Sequence, residues 1–188
     1  DQVSIGLITE DNDDATYVSI DHATKMADVE VVYARSFYAG TKHSSGPLSG
    51  EIMAILAGPS PHEVSAGLNA AIEYLENEAV WYSANADGSS AFFPHLISQT
   101  GTYLSRSNHL PPGAPVAYLV APPMEGLVAL DSALKAAAVT IASLTMPPSE
   151  TNYMGAILTG DQSACRAAVS AFQEKVLQVI AHPMNYRV

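Results

Sequence analysis

The sequence is poor in charge, in cysteine and in basic side chains. Charged residues make up 14% of the 188 residues, so contacts between subunits are expected to cover part of the surface. The single cysteine, Cys165, excludes an internal disulfide, and its apolar helical surroundings predict a packing role. Lys and Arg number 8 against 19 Asp and Glu, a balance that repels nucleic acid and anionic lipid. No apolar run approaches the roughly 20 residues of a membrane helix.

Recognisable catalytic and metal motifs are also missing. The sequence contains no G-x-S-x-G nucleophile motif and no glycine pattern of a dinucleotide or phosphate loop. The six His never fall at i, i+4 on one predicted helix, which argues against zinc. Counted from Asp11, the acidic stretch lacks the Gly at the sixth and the Glu at the twelfth position of a calcium loop, with Thr16 and His22 in their places. No cofactor, metal or catalytic residue is therefore predicted.

The chain does contain an internal repeat of one strand sequence, and we call each of its two occurrences an echo. Glu51–Gly58 (EIMAILAG) resembles Tyr153–Gly160 (YMGAILTG), with an offset of 102 at the shared Ala-Ile-Leu. Earlier in each half, Asp21–Lys25 reappears as Asp131–Lys135 with an offset of 110. Two blocks repeated in the same order indicate two copies of one module. The alternative is that two buried strands converged on similar residues.

Each copy is predicted to run β-α-β-β-α, which gives an α/β (α+β) fold with helices packed on a small sheet. The domains are predicted as 1–78 and 79–188, the second including a lead-in that the first copy lacks. Helices are predicted over Asp21–Asp28 and Asp131–Ala138, and after Pro94 within Ala91–Ser105.

The second helix of each copy has its own start signal. Ser60 is predicted as an N-cap, Pro61 as the first helical residue, and Glu63 as the partner in a capping box. The apolar stripes that follow indicate a buried face, and Asp161 is predicted to cap the last helix. The stripes are Val64, Leu68, Ile72 and Leu75, and Val169, Phe172, Val176 and Ile180.

Three carboxylates are the remaining candidates for chemistry. Residues 1–90 carry 14 acidic and 3 basic side chains, and residues 91–188 carry 5 of each. Within the acidic half, Asp13 and Asp14 follow the first strand and Glu51 opens the central strand. The loop after the first strand brings them together if the two strands are antiparallel neighbours. From the residues alone, a solvated surface, a cation site and acid/base catalysis all stay open.

Many stretches also match a known family. The chain resembles the tandem-domain shell proteins of bacterial microcompartments, and most of all their ethanolamine-utilisation type. The matching stretches run in order through the whole chain and include Asp13–Tyr17, Val29–Gly40, Gly58–Pro61, Thr100–Ser105, Ala117–Pro123 and Pro148–Tyr153.

This resemblance implies two circularly permuted shell domains in one chain and a non-enzymatic structural role. It further implies a homotrimer that imitates a hexamer, tiles with other shell proteins and surrounds a central pore that opens and closes. The expected location is the shell of a microcompartment in the bacterial cytoplasm, with no nucleic-acid or membrane partner. The family has more residues before the first strand, so a truncated or clipped chain is the expected reason for the missing lead-in.

The resemblance also implies functional residues. Asp13, Asp14 and Glu51, with Trp81 nearby, match the small acidic channels where the family binds ethanolamine. Other residues match the loops around the central pore, where large aromatics could block the opening or pack the trimer centre. These residues are Phe37, Tyr38, Ala39, Gly40, Thr41, Lys42, Ser149, Glu150, Thr151 and Asn152.

Two rival functions share most of these features. A small-molecule sensor built from paired α/β domains would need the same repeat but would not tile into sheets. An enzyme using Asp13, Asp14 and Glu51 would turn over ethanolamine, which the absence of catalytic motifs argues against.

Overall fold

The structure is a computed structural model that describes residues 3–38 and 50–182. Strands and helices alternate in it in an order close to the predicted one. The strands are β1 (Ser4–Glu10), β2 (Glu30–Phe37), β3 (Glu51–Gly58), β4 (Tyr82–Ser83), β5 (Ala91–Ile97), β6 (Val116–Ala121), β7 (Val139–Thr145) and β8 (Met154–Gly160). The helices are α1 (Asp13–Met26), α2 (Pro61–Asn77), α3 (Thr102–Ser107), α4 (Pro123–Ala136) and α5 (Gln162–Ala181).

The chain divides into two compact units. The first unit comprises Asp1–Val80 and Gln99–Ala114, and the second comprises Trp81–Ser98 and Pro115–Val188. Residues 99–114, which the sequence analysis assigned to the second domain, thus pack with the first unit. The division into domains 1–78 and 79–188 stays a prediction about the two copies of the module.

The sheet of the first unit has the order β1-β3-β2, and both pairings are antiparallel. Helices α1 and α2 pack on one face of it. Its buried core includes Ile20 from α1, Leu56 from β3 and Val64 from α2. Strand alternation therefore gives β3 a helix-facing row that contains Ile52, Ala54 and Leu56.

The sheet of the second unit has the order β4-β5-β6-β8-β7. Its buried core joins Leu119 and Leu158 from the sheet with Ala129 of α4 and Phe172 of α5. Cys165 lies fully buried in this core, as a packing residue does. Burial raises the pKa of its thiol.

The two sheets repeat each other in detail. The register of β2 on β3 shifts between Val31 and Tyr33, and that of β7 on β8 shifts between Ile141 and Ser143, 110 residues later. A Cβ atom on Gly58 would lie 3.0 Å from the Asp28 carbonyl oxygen, and one on Gly160 would lie 2.8 Å from that of Ala138. The glycine that closes each echo is thus required by the same close approach of backbone. The tandem α/β fold predicted from the sequence is confirmed.

Both first helices begin eight residues earlier than predicted. Asn12 and Pro122 occupy the N-cap positions of α1 and α4, and the helices end at Met26 and Ala136, two residues before the predicted ends. The acidic run Glu10–Asp14 was interpreted as a loop, but Asp13 and Asp14 stand in the first turn of α1. Acidic side chains are favoured there because they face the positive end of the helix dipole.

The helix predicted after Pro94, in the lead-in to the second copy, is also wrong. Ala91–Ile97 forms strand β5 rather than a helix, with Pro94 opposite Leu119 of β6. Buried Phe92 and Phe93 suit a strand that is covered on both faces. The helix that follows, α3, is short and starts only at Thr102.

The start of α2 is confirmed in part. Ser60 is its N-cap and accepts from the Glu63 N–H at 3.2 Å, with Pro61 in the first turn. The Glu63 carboxylate does not complete a capping box, because it accepts from the Asp28 N–H at 2.9 Å instead. Ile72 is exposed, since the buried face of α2 runs through Val64, Gly67 and Ala71.

The last helix, α5, buries its predicted apolar stripe only in part. Phe172 and Val176 of its predicted stripe are fully buried, whereas Val169 and Ile180 are partly buried. Asp161 stands at the N-cap of α5, but within the described residues its side chain accepts no hydrogen bond from the first turn.

Candidate functional site

The start of α1 places the first two candidate carboxylates. The Asn12 side chain caps the helix by accepting from the Ala15 N–H at 3.0 Å. Asp13 and Asp14 then occupy the first turn, where the helix dipole favours their charge. Strand β1, which leads into this turn, pairs antiparallel with β3, as the prediction of neighbouring carboxylates required.

Asp13 is buried against the residue that precedes β3. Its carboxylate lies where the side chain of Gly50 would be, since a Cβ atom on Gly50 would come within 2.7 Å of the Asp13 Cγ and Oδ1 atoms. Asn12 and Gly50 also form a parallel bridge. One Asp13 oxygen accepts from the Asp14 N–H at 2.9 Å. The absence of a side chain at position 50 thus makes room for the Asp13 carboxylate.

Glu51 lies one residue further along the chain, and its side chain projects from the face of the sheet opposite the helices. Ile52 belongs to the helix-facing row of β3, and alternation places Glu51 on the opposite side. Glu51 pairs across the ladder with Phe37 of β2. Asp13 and Glu51 are each only 8% exposed. The structure therefore gives two buried acids near the same strand end, one associated with each face.

Further acidic side chains lie at this end of the sheet. Glu10 accepts from the Asn12 N–H at 2.7 Å, and burial, assisted by Asp11, raises the pKa of its carboxyl. The pKa of Tyr17 is raised chiefly by burial, and the charges of Asp13 and Asp14 act in the same direction. Such a cluster attracts a small cation and disfavours an anion. No group of three His, Cys, Asp or Glu side chains suited to a metal ion occurs within the described ranges 3–38 and 50–182.

Trp81 belongs to the second unit. Its ring stacks on Phe93 with centroids 5.5 Å apart and meets Tyr153 edge-on at 5.7 Å. Tyr153 is the counterpart of Glu51 at the offset of 102. The part of Trp81 in an amine site stays a prediction.

The predicted pore-loop residues are described in part. Phe37 and Tyr38 carry exposed rings at the end of β2. Ala39, Gly40, Thr41 and Lys42 lie outside the described residues.

The other predicted pore loop forms a tight turn. Ser149 accepts from the Asn152 N–H at 3.2 Å and donates its hydroxyl to the Tyr153 carbonyl at 3.0 Å. Asn152 adopts a positive φ of 59°, which Asn tolerates better than most residues. Glu150 and Thr151 lie at the tip of this turn, which stays a predicted pore loop.

A buried carboxylate was missed by the sequence reasoning. Asp21 is 0% exposed, and its Oδ2 and Oδ1 atoms accept from the Gly101 N–H at 2.6 Å and the Leu104 N–H at 2.8 Å. Thr24 accepts from the Thr102 N–H at 3.0 Å. These bonds fasten the segment that contains α3 to the side of α1. No local pattern marks Asp21 for this role, because its partners lie 80 and 83 residues further along the chain.

An aromatic cavity of about 420 Å³ lies between α1 and α2. The His22 ring stacks on Tyr74 with centroids 4.3 Å apart, and Glu73 and Glu78 stand at the rim. Burial, followed by the charge of Lys25, lowers the pKa of His22. Burial raises the pKa of Tyr74 to about 12, so the phenol stays protonated at neutral pH.

Comparisons with known proteins identify the module. The profile of the BMC domain family matches residues 4–85 and 120–187, so both copies are covered. The chain belongs to the BMC domain family.

Members with whole-chain similarity are shell proteins. The chain is 51% identical to the bacterial microcompartment shell protein EutL of Clostridium perfringens, over 97% of this chain and 84% of that protein. It is 50% identical to EutL of Escherichia coli K12, over 97% of this chain and 83% of that protein. A solved structure of the ethanolamine utilization protein EutL from Leptotrichia buccalis superposes with a TM-score of 0.91 at 52% identity, covering 98% of this chain and 85% of that one.

These similarities confirm the central predictions. The chain is a tandem BMC-domain protein of the microcompartment shell, and as such it associates with other shell proteins. Its relatives are named as shell proteins rather than enzymes, in agreement with the predicted structural role. Among the described residues, no helix is long and apolar enough to cross a membrane.

Proposed function

We propose that this shell protein assembles as a trimer around a central pore, and that its first unit binds a small protonated amine such as ethanolamine. The observation that carries the proposal is identity near 50% over almost the whole chain to EutL proteins, one of which is described as an ethanolamine utilization protein.

The surface of the first unit supports assembly. The sheet face turned away from the helices is apolar and exposed, and a monomer rarely keeps such a face in water. Its exposed residues include Ile5, Leu7, Val32, Tyr33 and Phe37. Two similar modules per chain make a ring of three chains equivalent to a ring of six modules. Such a ring closes through one repeated heterologous contact.

The central pore is assigned to the loops that close two equivalent hairpins, one in each unit. Residues 38–50 join β2 to β3, and residues 146–153 join β7 to β8. Equivalent loops of a six-module ring lie at equivalent distances from the axis, so both are assigned to the central pore. Phe37 and Tyr38 place exposed rings at the start of one loop, where they would restrict an opening.

The amine site is assigned first to Asp13. Its carboxylate is buried and seated against Gly50, and an ammonium group pairs with carboxylates through charge-assisted hydrogen bonds. Asp14 is the second acceptor, and Glu51 adds negative charge from the other face of the sheet. Of the three acids, Asp14 is the half-buried one that solvent reaches, and we expect millimolar to high-micromolar affinity, or about 4–6 kcal/mol.

Calorimetric titration tests this assignment. Ethanolamine is compared with ethylene glycol, which has a similar size and no charge. We expect ethanolamine alone to bind, and the Asp13→Asn/Glu51→Gln double variant to lose about tenfold or more in affinity. Glu76→Gln is the matched control, because Glu76 is an exposed acid on α2 of the same unit.

Equal binding of both compounds would contradict a cation site. Parental affinity in the double variant, with unchanged melting temperature, would move the site elsewhere. Either result would leave the shell role intact, since that role does not depend on the ligand.

A further inference from the structure

The cavity between α1 and α2 is formed by one stripe of side chains from each helix, and all of its lining lies in the first unit. Residues spaced three or four apart share one face of a helix. The stripe on α1 contains His22 and Met26, and the stripe on α2 contains Ala70, Glu73, Tyr74 and Asn77. With a volume of about 420 Å³, the cavity is large enough for a small organic ligand.

Two contacts give the direction in which the helices pass each other. Glu63, near the start of α2, accepts from the Asp28 N–H just beyond α1. The His22 ring stacks on Tyr74 near the end of α2. Later residues of α1 thus lie beside earlier residues of α2, and the two helices are antiparallel. Met26 therefore marks one end of the cavity, and the C-terminal end of α2 marks the other.

The C-terminal end of α2 has an unfavourable charge. Helices α1 and α4 each carry a lysine in the last turn, Lys25 and Lys135, whereas the last turn of α2 contains no basic side chain. Glu73 and the C-cap residue Glu78 line the cavity there instead. Because the helix dipole places partial negative charge at a C-terminus, two further carboxylates raise the energy of this end. A cation bound beside them would lower it.

The stacked rings of His22 and Tyr74 supply a neutral aromatic wall. Burial raises the pKa of Tyr74 to about 12, so its phenol carries no charge at neutral pH. Burial, followed by the charge of Lys25, lowers the pKa of His22, so its imidazole is neutral as well. Aromatic rings attract cations through their faces, and the Met26 thioether packs well against flat apolar groups. The wall thus favours a ligand with both a charge and a flat apolar part.

The equivalent helix pair of the second unit allows an internal comparison. Helix α4 matches α1 at the offset of 110 found in the sequence. The buried face of α2 recurs on α5 at an offset of 101, since Val64 matches Cys165 and Gly67 matches Ala168. Each residue that lines the cavity therefore has a definite counterpart in the second unit.

These counterparts do not keep the chemistry of the cavity. Ser132 and Lys175 stand in place of the aromatic pair. Val179 stands in place of Glu78. Lys175 brings a positive charge, which disfavours a cation. The two modules thus differ at equivalent helix pairs, as expected of a ligand site that belongs to the first module alone.

We propose that the cavity between α1 and α2 binds a small organic cation that carries a flat apolar group, such as an aromatic amidine. Its charged group lies beside Glu73 and Glu78, and its apolar group lies along Tyr74 towards Met26. The site is distinct from the amine site proposed above, because Asp13 precedes His22 by nine residues, or roughly 13 Å along α1. It does not depend on that site or on the trimer.

Calorimetric titration with benzamidine and benzamide tests the charge requirement. The two compounds have nearly the same shape, but only benzamidine is charged at neutral pH. We expect benzamidine to bind at one site per chain and benzamide to bind at least tenfold more weakly. No binding of benzamidine, or equal binding of both compounds, would overturn the proposal.

Substitution of the two carboxylates tests the cavity itself. Glu73 and Glu78 are exposed, so Glu73→Gln/Glu78→Gln should leave the melting temperature near that of the parent. We expect this variant to lose about tenfold in benzamidine affinity. Glu76→Gln is the matched control, because Glu76 is an exposed acid of the same helix outside the cavity lining. Parental affinity in the double variant, or an equal loss in the control, would contradict the site.

Nuclear magnetic resonance of methionine methyl groups locates the ligand independently. Benzamidine should shift the methyl signal of Met26, assigned through its loss in Met26→Leu. The signal of Met124, an exposed methionine of α4 in the second unit, should stay in place. A titration that leaves the Met26 signal unshifted while calorimetry detects binding would put the ligand elsewhere and overturn the proposal.

Discussion

Asp21 is the buried acid on which the first unit most depends. Both of its carboxylate oxygens accept a backbone N–H from the segment that starts α3. A side-chain amide offers one acceptor oxygen instead of two, so Asp21→Asn leaves one buried N–H without its partner. We expect the free energy of unfolding, from urea titration, to fall by about 1–3 kcal/mol.

Asp161→Asn is the control for this change. Asp161 is exposed at the N-cap of α5, where Asn serves as well as Asp. Equal stability of the Asp21 and Asp161 variants would contradict the structural role assigned to Asp21.

The same residue predicts a pH dependence. Burial raises the pKa of the Asp21 carboxyl, against the opposing effect of its hydrogen bonds to Leu104 and Gly101. The folded state then holds this proton at a pH where the unfolded state, with an ordinary pKa of about 4, has released it. The contribution of Asp21 to stability is therefore full below that ordinary pKa and falls as pH rises through the raised value.

Urea titrations of the parent and of Asp21→Asn over this pH range measure the effect. The stability advantage of the parent should shrink as pH rises from about 4 through the raised pKa. An advantage that grows over the same range would mean that the hydrogen bonds outweigh burial.

At the scale of elements, Gly50 sets the fit between the start of α1 and β3. A Cβ atom at this position would come within 2.7 Å of the Asp13 carboxylate, so Gly50→Ala must displace that side chain. We expect a loss of about 1–3 kcal/mol in unfolding free energy together with weaker ethanolamine binding in calorimetry. Gly155→Ala in β8 is the control, because its Cβ would meet nothing closer than 4.0 Å. Indistinguishable stability and binding in the two variants would refute this fit.

Glu63 joins helix α2 to the turn that follows α1. Its carboxylate accepts from the Asp28 N–H, whereas the cap of α2 comes from Ser60. We expect Glu63→Ala to lower the free energy of unfolding by about 1 kcal/mol and to leave ethanolamine binding unchanged. Amide hydrogen exchange should become faster at Asp28 and change little at the first turn of α2. Faster exchange at the first turn of α2, with no change at Asp28, would instead show that Glu63 acts in a capping box.

The elements that the sequence predicted well are those with local signals. Ser60-Pro61 marks the start of α2, and each echo ends at a glycine that the fold requires at close approach to backbone. The helix starts at Asn12 and Pro122 were missed because the acidic or proline-rich residues there also suit loops. Strand β5 was missed because burial on both faces removes the alternation that identifies a strand.

The candidate site was predictable only in its first part. Asp13 and Asp14 were identified as acids close to the start of β3, and the antiparallel pairing of β1 with β3 confirmed the condition for that approach. The face on which Glu51 leaves the sheet depends on register, which a sequence does not state. The role of Asp21 depends on partners 80 and 83 residues away, which no local pattern reveals.

At the scale of the whole molecule, the internal repeat is the defining feature of this protein. Two modules with the same bulge and the same glycine contact belong to a family whose similar members are named microcompartment shell proteins. An apolar sheet face on the first unit and exposed apolar side chains on α4 of the second, Met124, Leu127 and Val128, both indicate assembly.

The mass of the assembly in solution tests this account most directly. Sedimentation equilibrium of the parent chain over a wide range of concentration should converge on three times the mass of one chain. Electron micrographs of the same sample should show rings with threefold symmetry. A single-chain mass at every concentration would contradict the account.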